Sequence, residues 1–543
     1  MIQVLIIIII LSLSTKAQSS LEYFNVLNSI NKDSIKKHLT YLASDELEGR
    51  GLGSKGIKLA ANYISDYYSY YKLNKISTGR SYFQEIPMHG SQALSNSELT
   101  ILNKDFEVSL KYGEDYFLYK CGQQTFIPQP LDIVFVGYGI VAPEFDYNDY
   151  QSVDVEGKIV LFLDGEPLSD DPDFFNGSLL NNYSSAELKR RIAISRGAAG
   201  TILIPTERYT NWKEVQRDFD LEDVNLAYDI SSNLSVILNP NKVDLLFSNS
   251  EFMFPQIIEM HKNRKIKSFN LKSKLKFRGY FKERNFIEKN VIGTIAGTDK
   301  KLRDTYILVS AHYDHLGIGK PINGDSIYNG ALDNGIGVSV MLELARALSG
   351  LQLKRSVVFI ATTGEERGLL GSIYYTENPV YPLYKTIANL NIDGVAFFRD
   401  FKSLIALGND LSSLGDLSTK TAERFGLKIE GIPEEFLNFG AFKNSDHFAF
   451  ASAGIPSIII LEGLGNKSLT REEVKKEFID YFLYRYHTPF DDLEQQIDYT
   501  AAERHAKVLF DFIYHLAMSN EEPKWNSNSP FIKNYLRNLA EKR

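Results

Sequence analysis

Tyr306-Ile-Leu-Val-Ser310 runs straight into Ala311-His312-Tyr313-Asp314-His315, and this stretch decides the fold. A short apolar run, rich in β-branched residues, ends on imidazole and carboxylate. The pattern returns twice. Ser356-Val-Val-Phe-Ile-Ala361 ends in Thr362-Thr-Gly-Glu365-Glu366, and Ile387-Ala-Asn-Leu-Asn-Ile392 ends in Asp393. Between the first two runs, Asn329-Gly-Ala-Leu-Asp333-Asn334-Gly335 leads into a helix. Val338, Met341, Leu342, Ala345 and Leu348 form a core-facing stripe on it. Open α/β sheets gather ligands at the carboxyl ends of their strands, so these polar ends are expected in one crevice. Far downstream, Tyr486-His487-Thr488-Pro489 supplies another imidazole on a turn.

A chain of 543 residues is long enough for more than one domain. Its composition, 44% hydrophobic and 24% charged, is that of a globular protein. A net charge of -8 with no long basic run argues against a nucleic-acid partner. Ile2 to Leu13 is apolar except for Gln3 and Ser12, and Thr15-Lys16-Ala17 follows as a small-x-small cleavage site. Residues 1–17 are therefore expected to be a secretory signal, too short for a comfortable bilayer span; the alternative is an uncleaved anchor. No later stretch reaches ~18 consecutive apolar residues. An exported protein, periplasmic or extracellular, without a membrane span after cleavage is the expectation. Cys121 is the only cysteine, so no internal disulfide forms. Asn176, Asn182, Asn233 and Asn466 lie in sequons that matter only in a glycosylating host.

Residues 31–71 carry helical spacing, with Ser34 as a candidate cap before Ile35, His38, Leu39 and Leu42, and with Ile57, Ala60, Ala61 and Ile64 in a second helix. Between them, Asp45-Glu-Leu-Glu-Gly49-Arg50-Gly51-Leu-Gly53 reads as a tight connector. It lacks the strand and the G-K-[ST] that a phosphate loop requires. Residues 81–126 alternate as an antiparallel sheet does. Strand-like runs follow at 131–141, 158–163 and 201–204. Residues 207–230 are expected to form a long loop, 499–518 a final helix, and 519–543 a mobile tail. The α/β domain thus begins near residue 20, pauses, and resumes near 285.

Two imidazoles and three carboxylates, His312, Asp333, Glu366, Asp393 and His487, make a mixed N/O ligand set that suits zinc. Two metals about 3.5–4 Å apart can share a bridging carboxylate, which needs two terminal ligands on each and one between. Asp333, where a loop enters a rigid helix, is the candidate bridge. Asp314 follows His312 by two positions, so in an extended chain the two side chains point the same way, and the carboxylate can fix the imidazole tautomer. Of the neighbours Glu365 and Glu366, one can bind metal while the other acts as a base towards water whose pKa the metal has lowered.

These motifs closely resemble the zinc-dependent M28 peptidases. Ser44-Asp-Glu-Leu-Glu-Gly-Arg-Gly51 looks like the early loop of the bacterial aminopeptidase branch. Residues 130–270 resemble the protease-associated (PA) insert. Ala311–Gly317, Tyr328–Gly335, Gly364–Glu366, Asn391–Asp393 and Tyr486–Pro489 are similar to the metal-site motifs. The resemblance implies an α/β, mixed-sheet zinc exopeptidase domain (phosphorylase/hydrolase-like) in two parts, 18–125 and 285–520, around a β-rich PA insert at 126–284, with a tail at 521–543. It implies two zinc ions per subunit: one held by His312 and Asp393, the other by Glu366 and His487, with Asp333 between them. Glu365 would be the general base, Asp314 would orient His312, and Tyr486 would hydrogen-bond the oxyanion. Ser445-Asp446-His447 would be structural support, and His315 would have a supporting or surface role. Leu332 stands where many relatives have a second Asp, and Gly394-Val395 replaces a commoner Met-Ile type pair. The implied activity is removal of N-terminal residues from peptides with a free N-terminus. Carboxypeptidase or glutaminyl cyclase chemistry on the same fold, or a non-catalytic binding protein, are the alternatives.

Overall fold

The computed structural model describes residues 21–542 other than 77–79, 121–124, 168, 170, 172–173, 176–181, 207–211, 220, 395–399 and 434–441. The expected signal segment, Cys121, the sequon at Asn176 and Val395 lie outside the described residues. The chain divides into two units, Met1–Ile86 with Ile287–Arg543, and Pro87–Phe286.

The first unit is built on a mixed sheet. Its strands, in chain order, include β1 (Phe83–Ala93), β2 (Phe281–Ile295), β3 (Tyr306–His312), the hairpin β4 (Gly317–Ile322) and β5 (Asp325–Tyr328), β6 (Ser356–Thr362), β7 (Thr386–Asn391), β8 (Ser403–Leu407), β9 (Lys428–Glu430) and β10 (Ser457–Glu462). β1 and β2 are the strands by which the chain leaves this unit and returns to it. The order is β1-β2-β6-β3-β7-β10-β8-β9. β6, β3, β7 and β10 are mutually parallel, with His312 opposite Thr362, Ser310 opposite Asn391, and Asn391 opposite Ile459. Their carboxyl ends therefore share one edge. Every residue of β6 and β7 is buried, as expected of parallel strands covered on both faces.

The helices include α1 (Lys32–Leu42), α2 (Lys55–Tyr70), α3 (Ile336–Ser349), α4 (Leu370–Glu377), α5 (Leu414–Arg424), α6 (His447–Ser452), α7 (Arg471–Tyr484), α8 (Tyr499–Met518) and α9 (Ile532–Glu541). α3 buries all but Arg346 and Ser349, since a helix apolar on all sides needs cover on all sides. Ile35, Leu39 and Leu42 of α1 and Ala502, Ala506 and Leu509 of α8 share one core cluster with it. Asn31, not Ser34, caps α1: its Oδ1 accepts the Ser34 N–H at 2.9 Å. Ser34 sits in the first turn and donates its hydroxyl to Glu343 at 2.8 Å.

The C-terminal stretch is no tail. Trp525 and Phe531 are buried, Trp525 Nε1 donates to the Gly454 carbonyl at 3.0 Å, and α9 follows. Polar composition hid two aromatic anchors.

The second unit has a mixed sheet with 126–135, 159–163, 200–204 and 234–238 parallel at its centre. It begins at Pro87, not at 126, because strands 98–102 and 107–111 extend its sheet: 98–102 pairs with Phe269–Arg278. Within 207–230, expected as loop, there is a helix at Trp212–Phe219 and a strand at Asp223–Leu226. That strand pairs with Met88–Ser91, a long-range partner invisible in local sequence.

Candidate active site

The parallel strands deliver the polar residues to one place. His312 is the last residue of β3, Glu365 and Glu366 follow β6 by one short turn, and Asp393 follows β7. Asp333 lies on the turn entering α3, and His487 lies beyond α7. His312 Nε2 is 3.3 Å from Asp333 Oδ1 and 3.7 Å from Asp393 Oδ1. His487 Nε2 is 3.3 Å from Asp333 Oδ2 and 3.1 Å from Glu366 Oε2. Asp333 thus faces one imidazole with each oxygen. All five ligand candidates of the sequence meet here. Glu365 groups with His312 and Glu366, donor atoms within 4.8 Å of one another.

The positions are fixed from behind. The Asp491 carboxylate accepts the main-chain N–H groups of Leu332 and Asp333, both at 3.0 Å. Asn334 donates to the Ile392 carbonyl at 2.8 Å and accepts the Gly337 N–H, in the first turn of α3, at 3.1 Å. Asp393 receives the Ser445 hydroxyl at 2.6 Å, and Ser445 accepts from Asn391 Nδ2 at 2.7 Å. Asp314 is placed differently from the expectation. Its carboxylate accepts the N–H groups of Glu365 and Glu366 at 3.1 and 3.4 Å. It stands 3.9 Å from His312 Nδ1; that nitrogen donates instead to the Asp314 main-chain carbonyl at 3.2 Å.

His315 lies inside the cluster, with Nδ1 2.6 Å from Glu366 Oε1 and 3.8 Å from Asp333 Oδ2. Tyr486 is half-buried, and its ring stacks on His487 with centroids 3.8 Å apart. Asp491 and Arg50 are the residues that sequence pattern did not single out. Asp491 follows His487 by four positions, but nothing in that spacing announces a main-chain acceptor.

The electrostatics are those of an anion-rich pocket. Burial and Glu366 push the Asp333 carboxyl up, but His312 and His487 outweigh them and hold it at about 2. Burial likewise raises Glu366, and His487 and His315 bring it well below the carboxylate range. Burial drives the Glu365 carboxyl well above that range, and Glu366 and Asp393 add to the rise against His312. Burial opposes charge on His487, yet Glu366 and Asp333 raise it to about 10. The carboxylates call for positive charge.

A divalent cation meets that demand, and the donors fit one. Among the described residues, Asp333 Oδ2 and His487 Nε2 are buried without a hydrogen-bond partner, though 3.3 Å apart. Two ligands on a tetrahedral zinc with bonds of about 2.0–2.1 Å lie about 3.3 Å apart. Mixed imidazole and carboxylate donors suit that ion.

A model of peptidase family M28 matches residues 290–513. That segment belongs to peptidase family M28. The M28 segment holds every residue of the cluster. The chain is 29% identical over 244 residues to "Aminopeptidase YwaD" of Bacillus subtilis (strain 168), covering 44% of this chain and 47% of that one. It is 35% identical over 105 residues to a "Probable zinc metalloprotease" of Pyrenophora teres f. teres (strain 0-1), 19% of this chain and 22% of the relative. The chain thus spans about half or less of the length of these curated relatives. Its fold is that of an aminopeptidase from Aneurinibacillus sp. strain AM-1, at a TM-score of 0.56 and 20% identity, covering 92% of this chain and 97% of the other.

Proposed function

We propose that the protein is an exported di-zinc aminopeptidase; the observation that carries this is the position of Asp333. Its two oxygens each lie 3.3 Å from a different imidazole. One carboxylate between two donor groups is what a pair of neighbouring cations uses. His312, Asp333 and Asp393 would hold one zinc ion; Asp333, Glu366 and His487 would hold the other. Zinc bound there supplies a Lewis acid that polarises a peptide carbonyl and lowers the pKa of water.

The protein's own chemistry rests on Glu365, Tyr486 and the charge balance. Glu365, beside His312 and Glu366, is left over when the five other groups are assigned to the two ions, and it has a raised affinity for a proton. It is suited to take the proton of the attacking water and pass it to the leaving amine. Burial, with Asp333 and Glu366 adding to it, holds the Tyr486 hydroxyl well above its usual range. It therefore stays protonated and can donate to a carbonyl oxygen as charge develops. The surplus of carboxylates favours a substrate that brings its own cation, a free α-amino group. The names of the relatives point the same way. Export is supported by the apolar run Ile2–Leu13 and the site after it. Among the described residues no helix is long and apolar enough to cross a membrane.

The test is hydrolysis of a peptide series with free and N-acetylated ends, before and after chelation and zinc return, with metal content measured in parallel. Release of N-terminal residues from free peptides only, lost on chelation and restored by zinc at two ions per chain, supports the proposal. Release from the carboxyl end, cyclisation of N-terminal glutamine with one ion, or no turnover by metal-loaded protein each overturns it.

A further inference from the structure

Arg50 is wholly buried, at 0% exposure, in the loop that sequence pattern presents as a connector. All its bonds go to main-chain carbonyls. Nε donates to Tyr313 at 2.8 Å, Nη1 to Leu42 at 2.6 Å and to Asn329 at 2.5 Å, and Nη2 to Gly330 at 2.8 Å. Tyr313 sits between His312 and Asp314; Asn329 and Gly330 open the turn that carries Asp333; Leu42 ends α1. One planar fork therefore joins three segments, two of which bear ligand candidates. In return, the His315 N–H donates to the Arg50 carbonyl at 3.3 Å.

The loop is shaped to bring the fork in. Arg50 itself has φ +52° and Gly49 φ +64°. A Cβ on Gly49 would stand 2.3 Å from the Tyr328 carbonyl oxygen, and one on Gly51 2.8 Å from Gly317 Cα. Only glycine lets this backbone lie so close to the main chain that leads into and out of the site. Burial lowers Arg50 to about 10, against the carboxylates of Asp314, Asp491, Asp333 and Glu366, so it is charged at neutral pH. A guanidinium offers five N–H donors in a rigid fork, and Arg50 makes four bonds with them, each to a main-chain carbonyl.

We propose that Arg50 is the positioning residue of the metal centre: its fork sets the spacing between the His312 and Asp333 loops. This rests on the metal-centre part of the proposed function and deepens it. Lysine keeps the charge and loses the fork; methionine loses both.

The experiment compares wild type, Arg50→Lys and Arg50→Met by zinc affinity against a chromophoric chelator, by metal-free melting temperature, and by kcat and KM on an aminoacyl substrate. Expected is a graded loss of zinc affinity, about 10-fold for lysine and about 100-fold for methionine, the range for residues that orient metal ligands. With it come a fall in kcat at little-changed KM and partial rescue of an Arg50→Ala variant by dilute guanidinium ion. Wild-type zinc affinity in a folded Arg50→Met protein overturns the proposal. If methionine prevents folding, the lysine variant decides: folded with wild-type affinity and kcat, it overturns the proposal as well. If neither variant folds, Arg50 serves folding alone and the proposal falls. Zinc affinity is read without peptide, so a wild type that binds two ions yet cleaves nothing sinks the peptidase assignment and leaves this one standing.

Discussion

His315 and Glu366 are joined by a 2.6 Å hydrogen bond from Nδ1 to Oε1. An ionised carboxylate only accepts, so His315 is the donor. The bond leaves Oε2 of Glu366 to face His487 at 3.1 Å. Replacing His315 with phenylalanine removes the donor and keeps a ring. Zinc at the position shared by Glu366 and His487 is expected to weaken about 10- to 100-fold, while the ion at His312 and Asp393 changes less. A two-step zinc titration reads the two sites separately; equal weakening of both would contradict this.

Asp491→Asn replaces two acceptor oxygens with one. Either the Leu332 or the Asp333 N–H, both buried, then loses its partner. The expected cost is about 1–3 kcal/mol. A lower melting temperature and weaker zinc binding should appear together, because the same bond that stabilises the turn aims Asp333. Thermal melts with and without zinc check this.

Glu365→Gln keeps shape and removes the base. Turnover should fall about 10²–10⁴-fold, the range for a positioned acid–base group, with two zinc ions still bound per chain. Turnover within a few-fold of wild type would take Glu365 out of the chemistry.

How much of this was legible in sequence depends on what each residue acts through. His312, Glu366 and Asp393 could be found because each ends an apolar strand run, and parallel pairing brings such ends to one edge. Arg50 and Asp491 could not. They act on main-chain groups whose sequence separations reach 280 residues from Arg50 to Gly330 and 158 from Asp491 to Asp333, and main-chain groups leave no side-chain pattern. The boundary at Pro87 was missed for a related reason. Alternation in 98–111 announces strands but not the sheet they join. The C-terminal helix was missed because Trp525 and Phe531 are isolated anchors in polar surroundings.

Acid should destabilise the fold through two buried histidines. Burial lowers His447 to about 3, and burial lowers His38 to about 4. Unfolded, each takes up a proton near pH 6.5; folded, each refuses it. Their stabilisation is therefore complete above about pH 6.5 and declines as pH falls towards the folded values. The slope is about 1.4 kcal/mol per pH unit for each histidine. Urea unfolding at pH 7.5, 6 and 5 should show this, and His447→Gln should remove one proton's share of the slope. An unchanged slope in the variant would mean His447 does not stay neutral in the fold.

The 200-residue excursion from Pro87 to Phe286 imposes an order on biosynthesis. At about 5–20 residues per second, the ribosome spends roughly ten to forty seconds on it after α1 and α2 have emerged. Throughout that interval Ile35, Leu39, Ile57 and Ile64 lack α3, with which they share one core. The excursion has hydrophobic clusters of its own and is complete in sequence before α3 is made. Arg50 meets Tyr313, Asn329 and Gly330 only once more than half of the chain has been made.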